Sequence, residues 1–128
     1  MNEPGRRFPL GKILAAGSSG SGVGAWWRER VTAIALVPLT LWFIFSIVVH
    51  TGDDYGAVMV WLRRPATAAL LVLMLVVTFY HMALGLQVVI EDYVHSSMKR
   101  AVLTGMRLAC MALALVGILA VLNMAFRA

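Results

Sequence analysis

Charge is scarce in this sequence. Asp, Glu, Lys and Arg make up only 13% of its 128 residues and hydrophobic residues 61%, whereas a soluble domain averages about a quarter charged and about half apolar. That shortage excludes an ordinary water-soluble globule. Cysteine is almost missing as well: Cys110 stands alone inside an apolar run, so there is no intrachain disulfide and no paired-thiol metal site to expect. We read it as a packing residue. Acidic residues are few, 6 against 11 Lys and Arg, and the pI is about 10.2. In a soluble protein that imbalance would suggest nucleic acid, but here the basic residues gather at the ends of apolar runs rather than along a stripe. Membrane topology accounts for them, and no nucleic-acid partner is expected.

What is present in quantity is apolar length. Three runs, at about 31–49, 66–90 and 101–126, each reach the ~20 residues that span a ~30 Å hydrocarbon core. The expected fold is an all-α membrane protein with three transmembrane helices, a membrane anchor domain over 30–128 behind a flexible cytoplasmic arm over 1–29. Residues outside the spans cannot build a second folded unit, so no soluble enzyme domain is expected. In the arm, the Gly/Ser tract 17–22 reads as a tether. It lacks the Gly-Lys-Ser/Thr of a phosphate loop and runs instead into Trp26, Trp27 and Arg28. Arg6-Arg7-Phe8 faintly resembles a twin-arginine export signal, but Pro9, Gly11 and Lys12 break the stretch behind it, and export processing is not expected.

Each span has its own character. Pro38 lies inside the first and predicts a bend, a defect that packed membrane helices tolerate. The third carries Gly105, Ala109, Ala112, Ala114, Gly117 and Ala120, small residues that let helices approach closely, and its role reads as structural. Between the first and second spans, Gly52-Asp53-Asp54 is followed by Val58, Met59, Val60, Trp61 and Leu62, a set suited to a short helix along the interface. Trp26, Trp27, Trp61 and Tyr93 fall near span boundaries, as an aromatic belt places them.

The second span holds the arrangement that apolar packing does not explain: His81, Gly85, Gln87 and then Glu91-Asp92-Tyr93. Ionisable groups inside a bilayer are costly and mark function. At about 100° per residue, Asp92 returns to within about 20° of the His81 face, roughly 16 Å nearer the cytoplasmic surface. Gly85 lies one turn beyond His81 on that stripe, so an imidazole stands beside a missing side chain, where a flat macrocycle has room. A neutral imidazole is a natural axial ligand for haem iron. The bland alternative is a histidine hydrogen-bonded to a neighbouring helix, and spacing alone does not decide between the two. His50 is at the outer end of the first span and His95 is in the cytoplasmic connection, so a second axial ligand would come from another chain.

The segment from His81 to Tyr93 closely resembles the H-x-x-x-G-x-Q-x-x-x-x-D-Y signature of the smaller of the two hydrophobic membrane anchors of succinate dehydrogenase, respiratory complex II. Arg30-Val31-Thr32-Ala33-Ile34 resembles the R-x-T-A motif that opens the first span of that family. The resemblance implies a heterodimeric haem-binding helical bundle in a bacterial inner membrane, built with the larger hydrophobic anchor of the complex and carrying its iron-sulfur protein and its flavoprotein. It implies one haem b shared with that larger anchor and a quinone, expected to be ubiquinone, near the cytoplasmic face. His81 would be one haem axial ligand, Tyr93 would hydrogen-bond a quinone carbonyl, Asp92 would support that site, and Arg30 would lie near the haem propionates. Without the resemblance, Tyr93 is a belt residue and Arg30 a topology determinant. The chain by itself is expected to catalyse nothing, since succinate oxidation belongs to the flavin. Two other readings are the anchor of a fumarate reductase and a small transporter subunit with His81 as a proton relay.

Orientation follows from Lys and Arg. Arg6, Arg7, Lys12, Arg28, Arg30, Lys99 and Arg100 fall on one side with Arg107 just within the third span, and only Arg63, Arg64 and Arg127 on the other, which places the N-terminus in the cytoplasm and the C-terminus in the periplasm. A reporter fused after Ala128 is expected to be active on the periplasmic side, and a cysteine introduced near Gly17 to be labelled only from the cytoplasm. The reverse pattern would overturn the orientation.

Overall fold

The computed structural model describes residues 20–127, and every regular element among them is helical. Four helices follow one another: α1 (Gly20–Val49), α2 (Tyr55–Leu62), α3 (Pro65–Tyr93) and α4 (Lys99–Phe126). Three of them, α1, α3 and α4, are long and apolar enough to cross a membrane. The Arg6-Arg7-Phe8 stretch, Lys12 and residues 17–19 of the Gly/Ser tract lie outside the described residues.

Helix boundaries reach beyond the apolar runs. Residues 20–29, expected to belong to the flexible arm, form the first turns of α1. Glycine costs about 1 kcal/mol against alanine at each helical position, but local side-chain contacts oppose that cost. Trp26 and Trp27 meet edge to face with centroids 5.1 Å apart, and the Arg30 guanidinium lies 5.1 Å from the centre of the Trp26 ring, a cation–π pair at helical spacing. At the same end of the bundle, α3 continues to Tyr93 because its last carbonyls find partners. Val94 N–H donates to Ile90 O at 2.9 Å, and the Lys99 ammonium donates to Glu91 O at 3.1 Å across the turn into α4, where a cation also suits the helix dipole.

The connection between α1 and α3 is built by local chemistry. Gly52 adopts a φ of 99°, the left-handed region that a Cβ disfavours, and so turns the chain after α1. Asp54 then caps α2, accepting from Ala57 N–H at 2.8 Å, which gives the short helix expected between the first two spans. Pro65 occupies the first turn of α3, where its missing N–H has no helical partner to lose. His50 and Asp53 pair at 2.6 Å, and the His50 ring stacks on Trp61 of α2 at 4.7 Å. Trp42 of α1 lies 6.5 Å from Trp61.

Helix α3 is the middle of the structure. It packs against α1 on one side and α4 on another, while α1 and α4 make no close backbone approach to each other. The contact side of α1 is a row at seven-residue spacing, Thr32, Leu39 and Ser46, which are the buried residues of that helix among those described. A seven-residue repeat keeps one seam facing a neighbour, and two of its three members are small hydroxyl residues of the kind that let membrane helices approach. Helix α1 runs through Pro38, whose ring removes the hydrogen bond to the Ile34 carbonyl.

The small residues of α4 divide into two groups. Gly117 abuts α3, where a Cβ would meet Leu75 Cδ1 at 3.2 Å and Cδ2 at 3.3 Å, whereas Gly105 has nothing within 4 Å. Ala109, Ala112 and Ala120 are exposed and share the Gly105 side, while Cys110 is buried on the contact side. The expected close-packing row therefore serves α3 only through Gly117 and its neighbours. Replacing Gly117 by valine is expected to cost about 1–3 kcal/mol through overpacking against Leu75 and to lower the melting temperature of the detergent-purified assembly. Gly105→Ala is the control, and a similar loss from both would show that the α3–α4 contact is not tight at Gly117.

Candidate functional site

His81 stands within α3, twelve residues or roughly 18 Å before that helix ends. It faces α1. Its Nδ1 lies 2.8 Å from the hydroxyl oxygen of Thr32, the first residue of the buried seam. The same hydroxyl is 2.8 Å from the carbonyl oxygen of Arg28 and 3.0 Å from that of Glu29 on its own helix. Among the described residues, Nε2 of His81 has no hydrogen-bond partner. One turn further along α3, a Cβ on Gly85 would find nothing within 4 Å. The site thus consists of an imidazole anchored through one nitrogen, with the other unpartnered among the described residues, one turn of helix from the open space at Gly85.

The remaining residues singled out from sequence lie apart from His81. Asp92 and Tyr93 occupy the last turn of α3, and the Tyr93 side chain is 82% exposed. Arg30 is exposed and stacked on Trp26. Two residues correspond to about 200° around a helix, so Arg30 points away from the side of α1 on which Thr32 meets His81. None of the three makes a hydrogen bond to His81 or to another of them among the described residues. His95 follows α3 in the exposed turn, and His50 is held by Asp53 at the opposite end.

Two groups of residues acquire a role only in the folded chain. Thr32 lies in the R-x-T-A segment, and its signal is a hydroxyl at the mouth of an otherwise apolar span. The second group links α3 to α4: Arg107 donates to the Gln87 amide oxygen at 2.8 Å, and the Gln87 amide nitrogen donates to Glu91 at 2.8 Å. This network borders a cavity of about 420 Å³ between α3 and α4, lined by Arg28, Tyr80, Gln87, Arg107, Cys110 and Met111 among others. His81 does not line it. Gln87 and Gly85 are two residues apart and so lie on opposite sides of α3, which separates the arginine-rimmed cavity from the open space beside the imidazole.

Among the described residues no group of three or more His, Cys, Asp or Glu side chains converges to hold a metal ion. Among the described residues His81 therefore stands alone as a candidate ligand at its site. The model of the succinate dehydrogenase/fumarate reductase transmembrane subunit family matches residues 5–122. The chain belongs to that family. Similar proteins include a succinate dehydrogenase hydrophobic membrane anchor subunit of Rickettsia conorii, 36% identical over 84 residues that make up 65% of this chain and 67% of the relative. The protein of the same name from Rickettsia bellii is 34% identical, over 73% of this chain and 75% of its own length. A succinate dehydrogenase membrane anchor subunit of Reclinomonas americana is 32% identical, over 71% of this chain and 78% of its own. No solved structure matches the chain significantly. Family membership and three candidate spans make this a multi-pass membrane protein.

Proposed function

We propose that this chain is the hydrophobic anchor of a succinate dehydrogenase in a bacterial inner membrane, with its N-terminus cytoplasmic, and that with a second hydrophobic anchor protein it holds one haem b and forms part of a quinone site. The names carried by its relatives support the complex. The observation that carries the haem is His81 itself, an imidazole inside an apolar span whose Nδ1 is engaged at 2.8 Å while Nε2 has no partner among the described residues, one turn of helix from the open space at Gly85. Those residues fit an axially ligated macrocycle: a nitrogen donor, a ring fixed in orientation and no side chain in the way. When bound there, the haem supplies a one-electron centre within the bilayer.

The residues of this chain divide the remaining work by position. Tyr93, exposed at the cytoplasmic end of α3, presents a phenol that donates to a quinone carbonyl oxygen. Asp92 beside it accepts hydrogen bonds and supports that site. Arg30 points away from α3, so its guanidinium suits the carboxylates of a group shared with the partner anchor rather than enclosed by this chain. Succinate is oxidised on the flavoprotein, the iron-sulfur protein passes the electrons on, and this chain positions the electron acceptor.

Two substitutions test the proposal in the purified complex. His81→Leu should abolish the native low-spin b-type signal, because leucine has no lone pair for the iron. An unaltered spectrum with haem and flavin in the original ratio would remove His81 as a ligand. Tyr93→Phe should slow succinate-dependent quinone reduction by about two- to tenfold, the effect of one hydrogen bond of about 0.5–1.5 kcal/mol, while leaving succinate oxidation by an artificial acceptor intact. Unchanged quinone kinetics would exclude Tyr93 from the site.

A further inference from the structure

The Thr32 hydroxyl has one proton and three neighbours, and proton counting decides how they share it. The Arg28 and Glu29 carbonyl oxygens, at 2.8 and 3.0 Å, can only accept, so the hydroxyl proton is the only one on Thr32 Oγ1 that can serve them. With the proton directed to those carbonyls, Oγ1 turns a lone pair toward His81 Nδ1 at 2.8 Å. Nδ1 must then carry the hydrogen, and the neutral ring keeps its lone pair on Nε2. The opposite assignment, Thr32 donating to Nδ1, forfeits both carbonyl contacts and puts a hydrogen on Nε2, where it blocks ligation. Thr32 is also β-branched, with a restricted χ1 in a helix, and it sits on the buried seam between α1 and α3.

We infer that Thr32 is a positioning residue for His81: its hydroxyl accepts from Nδ1–H, donates in turn to the Arg28 carbonyl, and thereby selects the tautomer, the ring orientation and the donor strength of Nε2. The inference rests on the reading of His81 as a haem ligand. The chain Nδ1–H to Oγ1–H to carbonyl oxygen is polarised in one direction, and hydrogen bonds so linked strengthen one another. An imidazole that donates from its far nitrogen is a more basic ligand, which favours the ferric over the ferrous state. The contact also makes the ligand field depend on how α1 packs against α3, since acceptor and donor belong to different helices.

The test is a redox titration of haem b in the purified complex with Thr32→Val, Thr32→Ser and His81→Leu in parallel. Valine keeps the shape and removes the acceptor, so the midpoint potential should rise. At a fixed ambient potential the ferrous-to-ferric ratio should increase about tenfold, equivalent to ~59 mV for one electron, and haem should be lost more readily during purification. Thr32→Ser restores the hydroxyl and should stay close to the unsubstituted complex. An unchanged potential in Thr32→Val would overturn the inference, as would a serine variant that behaves like valine, since that would trace the effect to packing. If His81→Leu alters the spectrum while Thr32→Val leaves the potential unmoved, only the role of Thr32 falls. If His81→Leu leaves the spectrum unaltered, the ligand reading falls with it.

Discussion

A polar group inside hydrocarbon must find its partner within the protein, because no water is there to supply one. The backbone meets this demand by forming helices, and the side chains by pairing across or along them. Among the described residues no buried side-chain nitrogen or oxygen lacks a hydrogen-bond partner. The pairing of Thr32 with His81 is where this constraint becomes architecture. It joins α1 to α3 at the end of the seam nearest the start of α1, and the seam continues through Leu39 and Ser46. Hydrophobic burial cannot hold such helices together in lipid, whose tails are as apolar as the side chains. Close contact and a few interhelical hydrogen bonds must do so instead.

The placement of α3 between α1 and α4 gives it two working sides. One bears His81 and Gly85, the other the Gln87–Arg107 contact and its cavity. Much apolar surface remains uncovered, including Ile34, Val37, Leu41, Phe45 and Val48 on α1 and Leu108, Met111, Leu115 and Leu119 on α4. Lipid or a neighbouring hydrophobic chain suits such surface, and the family to which this chain belongs is one of transmembrane subunits. The chain is a non-catalytic component, and along its helices it presents donors, acceptors and, at His81, an Nε2 without a hydrogen-bond partner among the described residues.

Much of this was legible in the residues alone. Three apolar runs of spanning length leave the backbone no option but helix, so the all-α fold, the number of spans and the short helix between the first two follow from composition and turn chemistry. His81, Gly85, Asp92 and Tyr93 are legible for the same reason: their spacing on one helix is set by covalent geometry, and polar residues stand out in an apolar background. Helix ends were less legible, since hydropathy marks where lipid begins while local contacts such as Arg30 on Trp26 decide where a helix does.

Sequence did not reveal which side of each helix meets which neighbour. The row of small residues on α4 is equally compatible with several faces, and only the packed structure sets Gly117 against Leu75 and leaves Gly105 open. Thr32 reads as an ordinary span residue until α1 and α3 come together, 49 positions apart in the chain, and place its hydroxyl 2.8 Å from the imidazole. Periodicity along one helix is a local property, determined by the sequence of that helix. The partner of a hydrogen-bonding group across helices depends on their relative rotation and depth, which many weak contacts fix together, and that is decided by the tertiary structure.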